Sequence, residues 1–332
     1  MSHGLDDLSR RLVNRFQGGV PLVARPYGEM GAVLGTSEED VIARLKRLLR
    51  QGIATRFGPS FDASRLGGAL TLAALEVPEH RYDEIKELVN AYPEVAHNYR
   101  RLHRFNMWFV VATSTPAAMT TVVDDISRRS GLEVLHLPKL RQFRLGLHLV
   151  LGRDGRVTTG PFPNSPAAAE APAACVPEAA DWRLIDALQA GLPLEPEPWR
   201  AIAGATDMDE GSVLERLGAL LAGGVIRRIG LLPNHYRLGL RANGMSVWDV
   251  ADGEMAVRGE VVGRFDFVSH CYERPRRPPH WPYNLFAMVH GMDRAEVHAK
   301  TAAIARTLGV ACRSQAVLFS DGILKKTGFR SA

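Results

Sequence analysis

Histidine, tyrosine and arginine recur at alternate positions in two segments of this 332-residue sequence. The two sets are His97, Tyr99, Arg101 and His103 in the first segment, and His270, Tyr272 and Arg274 in the second. Alternate side chains of a β-strand point to the same face, so each set would share one face of a strand. Such a face is too polar for a hydrophobic core. It indicates either a binding site or a solvated sheet edge, and its occurrence in both segments favours the site.

These residue types suit a flat ligand that carries several carboxylates. Arginine guanidinium groups bind carboxylates through two parallel hydrogen bonds. Aromatic side chains can stack on a large planar ring, and the candidates are Tyr99, Trp108, Tyr272 and Trp281. Histidine transfers protons near neutral pH or coordinates iron. An iron tetrapyrrole with several carboxylate side chains meets all three requirements.

The chain contains two copies of one long unit. Tyr27 in the first copy corresponds to Trp199 in the second, and Arg56 corresponds to Arg228. Each copy begins with amphipathic helices and a short strand, as in a winged helix-turn-helix, and then changes to two successive strand-helix-strand patterns. We therefore predict an α+β fold, a tandem duplication of a winged helix-turn-helix domain followed by a ferredoxin-like βαββαβ domain. The copies would form a pseudo-dimer within one chain.

The predicted domain boundaries follow composition and periodicity. The winged helices cover residues 1–62 and 182–234, and the ferredoxin-like domains cover residues 63–150 and 235–332. Residues 151–181 are rich in Pro, Ala and Gly and are predicted to form an extended linker. Within the first ferredoxin-like domain, residues 94–102 and 133–144 are each predicted to form one strand.

Composition restricts the class of protein. The chain has a net charge of +5 and 46% hydrophobic residues, which fits an ordinary globular protein. No apolar run is long enough to span a bilayer, and the first residues do not resemble a secretory signal. Cys175, Cys271 and Cys312 are too few and too scattered for a disulfide framework or a cysteine metal site. We therefore expect a cytoplasmic protein without a membrane partner.

The order of domains resembles the Lrp/AsnC family of transcriptional regulators, twice and over nearly the whole chain. That resemblance implies DNA binding. The helices that would contact DNA begin with acidic residues, namely Glu38, Glu39 and Asp40 in the first copy and Asp207, Asp209 and Glu210 in the second. Acidic groups at these positions would repel phosphates, although Arg44, Lys46, Arg47 and Arg50 follow in the first helix. We expect DNA binding to be weak or absent, and a heme- or ligand-responsive regulator is the alternative function.

Four segments carry a more specific resemblance. They are residues 96–109 (AHNYRRLHRFNMWF), 233–239 (PNHYRLG), 242–250 (ANGMSVWDV) and 271–286 (CYERPRRPPHWPYNLF). These segments look like those of the siroheme decarboxylases, with the first half similar to the D-type subunit and the second half similar to the L-type subunit of the fused form. The resemblance implies a carboxy-lyase that removes two acetate carboxyl groups of siroheme as CO2. The product would be 12,18-didecarboxysiroheme, formed in the biosynthesis of d-type heme or in the alternative heme pathway.

The same resemblance implies partners and cofactors. Siroheme is bound as substrate and didecarboxysiroheme as product, and no separate cofactor or resident metal is expected. Further homo-oligomerisation of the internal pseudo-dimer and contacts with other heme-biosynthesis proteins are left open.

For the implied reaction, His97 and His103 are the first candidates for proton transfer, and His235 is the next. His235 is alternatively the axial ligand of the substrate iron, a role that is also open to His103. The candidate carboxylate-binding residues are Arg100, Arg101, Arg274, Arg276 and Arg277, and the predicted substrate-binding set is completed by His280 and the four aromatic residues named above. His270 and His280 are weaker candidates for proton transfer. The histidines expected to be structural or on the surface are His136, His148, His290 and His298.

Overall fold

The computed structural model describes residues 5–62, 64–160 and 176–326, which form two compact units. The first unit comprises the described residues of 1–66 and 148–239, and the second comprises those of 67–147 and 240–332. Each unit therefore combines corresponding parts of both sequence copies. The winged helices lie in the first unit and the ferredoxin-like parts lie in the second, so the duplicated α+β architecture is confirmed.

The helices and strands of the described chain follow the order that the duplication predicts, apart from the additional strands β6, β7 and β8. The helices are α1 (Asp7–Phe16), α2 (Pro26–Leu34), α3 (Glu38–Arg50), α4 (Tyr82–Asn90), α5 (Pro116–Ser130), α6 (Ala179–Leu188), α7 (Pro198–Thr206), α8 (Glu210–Ala222), α9 (Met255–Gly263) and α10 (Arg294–Leu308). The strands are β1 (Ala54–Phe61), β2 (Ala69–Leu75), β3 (Val95–Arg101), β4 (Met107–Thr113), β5 (Leu135–Pro138), β6 (Arg141–Leu145), β7 (His148–Leu151), β8 (Val157–Gly160), β9 (Ile226–Pro233), β10 (Ala242–Val250), β11 (Val268–Glu273), β12 (Leu285–Gly291) and β13 (Cys312–Lys326).

Each winged helix in the first unit consists of three helices and one wing strand. Ser37 caps α3, because its hydroxyl accepts a hydrogen bond from the backbone N–H of Asp40 at 3.2 Å. The wing strand β1 pairs antiparallel with β9 of the second copy, with Gly58 opposite Gly230. The duplication thus supplies the pairing partner of each wing.

The predicted linker, residues 151–181, is too long at both ends. Strands β7 and β8 form a hairpin that starts at His148, so the first ferredoxin-like domain also ends earlier than predicted. Gln17 fixes this hairpin by accepting a hydrogen bond from the N–H of Leu149 at 3.0 Å and donating one to its carbonyl at 2.7 Å. Helix α6 already begins at Ala179. These short elements carry too little periodicity to be recognised from sequence, and residues 161–175 lie outside the described residues.

A nine-stranded sheet forms the frame of the second unit, in the order β5-β2-β4-β3-β13-β10-β12-β11-β6. Each copy contributes its own βαββαβ arrangement, and two strands pair across the copies. Strand β13 pairs with β10 through its first part and with β3 through its last part. Strand β6 of the first copy pairs with β11 of the second. The two ferredoxin-like copies therefore share one sheet.

The two faces of this sheet carry different apolar clusters. On one face, α4 and α5 pack on a cluster that includes Leu75 and Phe109, and α9 and α10 pack on one that includes Val250 and Val289. On the other face, both copies contribute to a single cluster, which we call the inner core. It consists of Ala74, Phe105, Trp108, Leu135, Leu137, Met245, Val247, Trp281, Phe286 and Leu318. Full burial of each large apolar side chain stabilises the fold by roughly 1.5–3 kcal/mol.

Two strand predictions near the candidate site are wrong. Residues 133–144 form two strands, β5 and β6, which lie at opposite ends of the sheet order. Strand β5 ends at Pro138, which has no backbone N–H to continue a ladder. The strand predicted at residues 94–102 ends at Arg101, so His103 lies in the loop that follows rather than on the strand face.

Candidate functional site

Strand β3 directs His97 and Tyr99 to the inner-core face. In its pairing with β4, His97 lies opposite Val110 and Tyr99 lies opposite Trp108. Residues opposite each other on neighbouring strands share a face, and Trp108 belongs to the inner core. Both side chains are partly exposed. The alternation in the sequence therefore correctly predicts that the two side chains share a face. That face also carries the apolar inner core, contrary to the expectation that it is too polar for one.

The second copy repeats this arrangement on β11. His270 lies opposite Met288 and Tyr272 lies opposite Phe286, on the strand β12. Phe286 belongs to the inner core and Met288 packs against it. His270 and Tyr272 are therefore also on the inner-core face.

In both copies an arginine lies over the ring of the tyrosine two residues earlier. The Cζ atom of Arg101 is 5.9 Å from the centre of the Tyr99 ring, and that of Arg274 is 5.2 Å from the centre of the Tyr272 ring. Such cation–π contacts hold the guanidinium planes against an aromatic surface. One face of the sheet thus presents two histidine, tyrosine and arginine sets, one from each copy.

His103 lies in the loop between β3 and β4. Its Nδ1 accepts a hydrogen bond from the backbone N–H of Phe105 at 3.1 Å, so the neutral ring carries its proton on Nε2. Burial lowers the pKa of His103, and the nearby charge of Arg104 lowers it further, which favours the neutral ring at pH 7. With Nδ1 occupied and Nε2 protonated, His103 is suited to donate a hydrogen bond rather than to coordinate iron.

The segment between Arg274 and Asn284 of the second copy is longer than its equivalent between Arg101 and Asn106, and this insertion supports the loop of the first copy. The backbone N–H of Arg277 donates to the carbonyl of Trp281 and the N–H of Trp281 donates back, both at 2.8 Å, which closes a tight turn. Trp281 is fully buried, and its ring centre lies 5.7 Å from that of His103 and 5.9 Å from that of Phe105. Both copies therefore contribute to the surroundings of His103.

Arg274 combines burial with an unused donor. Its guanidinium lies between the rings of Tyr272 and Phe286, and Nη1 donates to the backbone carbonyl of Leu137. Its Nε is buried and has no hydrogen-bond partner within the described part of the chain. Burial lowers the pKa of Arg274 to about 10, so the group stays protonated at neutral pH. A partly buried cation with an unused donor is suited to bind a carboxylate.

Arg101 and Arg277 differ from each other in exposure. Arg101 is only 6% exposed, and its Nη1 donates to the carbonyl of Leu318 at 2.5 Å. Arg277 is exposed and donates from Nε to the carbonyl of His136 at 3.1 Å. His280, also exposed, lies in the same insertion, with Nδ1 3.4 Å from Nη1 of Arg104.

Two predicted carboxylate-binding arginines have protein carboxylates as partners instead. Arg100 lies on the helix-covered face of the sheet and pairs with Glu79 at 2.8 Å. Arg276 pairs with Asp249 at 2.7 Å and also with Asp252. The structure therefore gives no support to carboxylate binding by Arg100 or Arg276, and that role stays a prediction. Strand alternation already separates Arg100 from Arg101, whereas the acidic partners of Arg276 are distant in sequence.

The two tryptophans predicted to stack on a planar ligand are core residues. Trp108 and Trp281 are both 0% exposed, and their ring centres are 5.2 Å apart. Trp108 also donates from Nε1 to the carbonyl of Phe105 at 2.7 Å. The stacking prediction is therefore wrong for both, because neither presents a ring face to solvent. Tyr99 and Tyr272, which are partly exposed, remain the candidates for contact with a flat ligand.

His235 belongs to the first unit, in the turn that follows β9. Its ring centre is 4.2 Å from that of Tyr236. Its assignment as a proton donor or as the axial ligand of the substrate iron stays a prediction.

Several basic residues of the helix that would contact DNA are held in ion pairs. Arg44 pairs with Asp6 at 2.6 Å and with Asp40 at 2.9 Å, and Arg47 pairs with Asp6 at 3.0 Å. In the second copy, Arg216 of α8 pairs with Asp181 at 3.0 Å. These pairs reduce the positive charge that the two helices offer to phosphates.

Metal and cysteine chemistry receives no support from the described residues. Within residues 5–62, 64–160 and 176–326, no group of three or more His, Cys, Asp or Glu side chains is arranged to hold a metal ion. Burial raises the pKa of Cys271 well above its usual range, which keeps it a thiol. No helix in this part of the chain is long and apolar enough to cross a membrane.

Three side chains next to His270 were missed by sequence reasoning. Ser269, His290 and Asn243 are buried and form a hydrogen-bonded chain that ends at His270. The signal in the sequence is a difference between the copies, because the equivalent positions of the first copy carry no hydrogen-bonding side chain.

Two family models match the chain. An AsnC-like ligand-binding domain matches residues 65–144 and 237–325, and the helix-turn-helix domain of NirDL-like siroheme decarboxylases matches residues 9–53 and 181–227. The siroheme decarboxylase NirDL subunit of Paracoccus denitrificans is 37% identical over 295 residues, which are 88% of this chain and 87% of the relative. This chain belongs to the siroheme decarboxylases.

Other siroheme decarboxylases match over an even longer stretch. The NirDL subunit of Paracoccus pantotrophus is 34% identical over 328 residues, which are 98% of this chain and 97% of the relative. A crystal structure of the siroheme decarboxylase NirDL with an iron-uroporphyrin III analogue has a TM-score of 0.70 and 28% sequence identity, and covers 97% of this chain and 92% of that chain. The alternative of a ligand-responsive regulator is not favoured, since the matching helix-turn-helix model is itself that of siroheme decarboxylases.

Proposed function

We propose that this chain is a carboxy-lyase that removes the carboxyl groups of two acetate side chains of siroheme as CO2, giving 12,18-didecarboxysiroheme. The observation that carries the proposal is the inner-core face of the sheet, where each copy presents a histidine, a tyrosine and an arginine. A related decarboxylase of the same fold was crystallised with an iron-uroporphyrin III analogue. Both copies therefore offer groups suited to a planar iron compound with many carboxylates.

Substrate binding is assigned to the cationic and aromatic side chains of this face. Arg274 and Arg101 bind carboxylates, with Arg274 first because its Nε has no partner among the described residues. Tyr99 and Tyr272 contact the flat macrocycle. Arg277 of the insertion reaches substrate carboxylates from the exposed side, and His280 of the same loop takes part in substrate binding.

Each decarboxylation exchanges one carboxylate for one proton. The macrocycle is first protonated next to the carbon that bears the acetate, which makes it an acceptor for the electron pair of the breaking C–C bond. CO2 then leaves, and the exocyclic methylene is protonated to a methyl group as the ring proton is released. One proton is consumed per CO2 and no external electrons are needed, so we propose that the reaction requires no separate cofactor.

His97 and His103 are the proposed proton-transfer residues. His97 lies on the inner-core face, and His103 presents a protonated Nε2. His235 is the alternative proton donor or the axial ligand of the substrate iron. A cytoplasmic location, the absence of DNA and membrane partners, and the correspondence of the halves to D-type and L-type subunits are part of the same proposal.

Anaerobic incubation of the purified chain with siroheme tests the activity. We expect the mass of the porphyrin to fall by two CO2 units. Bound siroheme whose mass stays unchanged would refute the proposal and favour the regulator. A heat-denatured sample is the control for spontaneous decarboxylation.

A further inference from the structure

A buried chain of hydrogen bonds leads to His270. Nδ1 of His290 contacts Oδ1 of Asn243, and Nε2 of His290 lies 2.6 Å from Oγ of Ser269. The same Ser269 Oγ lies 2.7 Å from Nδ1 of His270. Asn243, His290 and Ser269 are 8%, 5% and 2% exposed, whereas His270 is partly exposed on the inner-core face.

The donor and the acceptor of each hydrogen bond in this series can be assigned by starting from Asn243. The amide oxygen of Asn243 can only accept, so Nδ1 of His290 must donate. Burial favours a neutral His290, whose Nε2 then accepts from the hydroxyl of Ser269. A hydroxyl that has used its proton accepts from Nδ1 of His270. Neutral His270 therefore carries its proton on Nδ1 and a lone pair on Nε2.

Only the second copy contains this series of hydrogen bonds. In the paired strands, Asn243 lies opposite His290, and Ser269 occupies the irregular position between Val268 and His270. The equivalent positions of the first copy carry Leu70 opposite Ala112, and Ala96 in the irregularity before His97. None of these three first-copy side chains can donate or accept a hydrogen bond. The two copies therefore share the same strand framework, but only His270 has polar side chains at these three positions.

We propose that Asn243, His290 and Ser269 are positioning residues that fix the tautomer of His270, so that Nε2 is the atom through which His270 exchanges a proton with the bound tetrapyrrole. Nε2 of His270 first takes up a proton from solvent, which gives the imidazolium. When His270 donates this proton from Nε2, Ser269 continues to accept from Nδ1, and the ring returns to the neutral tautomer that the hydrogen bonds stabilise. This inference rests on the proposed decarboxylation and adds His270 to the proton-transfer residues of that reaction. At the positions equivalent to Asn243, His290 and Ser269, the first copy carries Leu70, Ala112 and Ala96, whose side chains could not position His97 in this way.

The tautomer can be measured without substrate. In long-range ¹H–¹⁵N spectra of the full chain labelled with ¹⁵N-histidine, we expect the Nδ1–H form of His270, assigned by comparison with His270→Gln. Ser269→Ala, which copies Ala96 of the first copy, should shift His270 towards a mixture of tautomers, and Ser269→Thr should restore the wild-type pattern. An Nε2–H form in the wild type, or no change in Ser269→Ala, would overturn the proposal.

Kinetics test whether the tautomer matters for the reaction. Loss of a group that orients a functional histidine typically lowers activity about 10- to 100-fold. We expect this loss in the kcat of Ser269→Ala with KM little changed, and recovery in Ser269→Thr. Ser246→Ala is the matched control. Ser246 is also buried and donates to the carbonyl of Ala287 at 2.8 Å, but it does not belong to the hydrogen-bonded series that leads to His270.

The two assays separate the possible failures. A wild-type chain that does not decarboxylate siroheme refutes the proposed function, while the tautomer spectrum remains interpretable. A wild-type chain that is active, together with equal losses of kcat in Ser269→Ala and Ser246→Ala, would mean that Ser269 acts only through stability and would refute the positioning role. Thermal unfolding of both variants reports whether their folded fractions are comparable.

Discussion

Arg274→Met tests whether this arginine is held ready for a substrate carboxylate. Methionine keeps an unbranched apolar side chain against Tyr272 and Phe286 but removes the charge and the donors. A charge-assisted hydrogen bond contributes about 1.5–3 kcal/mol, so the dissociation constant for iron uroporphyrin should rise about 10- to 150-fold. The expected readout is a titration of iron uroporphyrin followed by the visible spectrum of the complex.

The stability of this variant should change little. Arg274→Met loses the hydrogen bond to the carbonyl of Leu137, but it also removes a charge whose pKa burial lowers to about 10 and a donor without a partner. These opposing terms are of similar size, so we expect a change in the free energy of unfolding within about 1 kcal/mol.

Arg276→Met is the matched control for Arg274→Met. The variant leaves Asp249, whose side chain is 13% exposed, with Arg313 as its remaining ion-pair partner among the described residues. We expect the free energy of unfolding to fall by about 1–3 kcal/mol and the affinity for iron uroporphyrin to stay unchanged. The reverse result, with a large loss of stability and unchanged affinity in Arg274→Met, would show that Arg274 only connects the insertion to β5.

The remaining predictions concern proton transfer, packing, pH and DNA. His97→Ala and His103→Ala should each lower decarboxylation about 10²- to 10⁴-fold while the iron tetrapyrrole stays bound, and near-normal turnover in both would place the proton donors elsewhere. Trp281→Ala should lower the free energy of unfolding by about 3–5 kcal/mol in a urea titration, because it empties a fully buried site; a loss below 1 kcal/mol would contradict this packing. Burial lowers the pKa of His103, so the folded chain resists its protonation, and the free energy of unfolding should fall as the pH drops below the ordinary histidine pKa near 6.5. His103→Gln should flatten this part of the profile of melting temperature against pH. An unchanged slope in the variant would exclude His103 as the source of the pH dependence. Filter binding at low salt should show no preference for one duplex sequence, whereas a steeply salt-dependent affinity for one operator would contradict the proposed lack of DNA binding.

Local patterns in the sequence predict which face of a strand a side chain occupies. The alternation of His97 and Tyr99, repeated by His270 and Tyr272, correctly predicts that the two members of each pair share one face of the sheet. The duplication itself predicts two winged helices and two ferredoxin-like domains. These predictions succeed because each depends on residues that are close in sequence.

Contacts between distant residues could not be predicted in the same way. Arg276 was expected to bind carboxylates of the substrate, but its partner Asp249 lies on another strand. Trp281 was expected to stack on a planar ligand, yet the tight turn of the insertion buries it against Trp108. His290 was expected to be structural or on the surface, and only the pairing of β10 with β12 brings it to Asn243.

The duplication explains how one sheet can hold two similar sets of residues with different chemistry. In a symmetric dimer of identical chains, a polar chain behind one histidine would also occur behind the other. Fusion of the copies removes this constraint, so that Ser269 can differ from Ala96 within the same strand framework. Two acetates of an asymmetric macrocycle occupy different surroundings in any single bound orientation. Replacement of Ala96 by Ser alone should therefore leave the tautomer of His97 unchanged, because Ala112 offers no acceptor or donor to continue the chain; a change in that tautomer would show that one hydroxyl is sufficient.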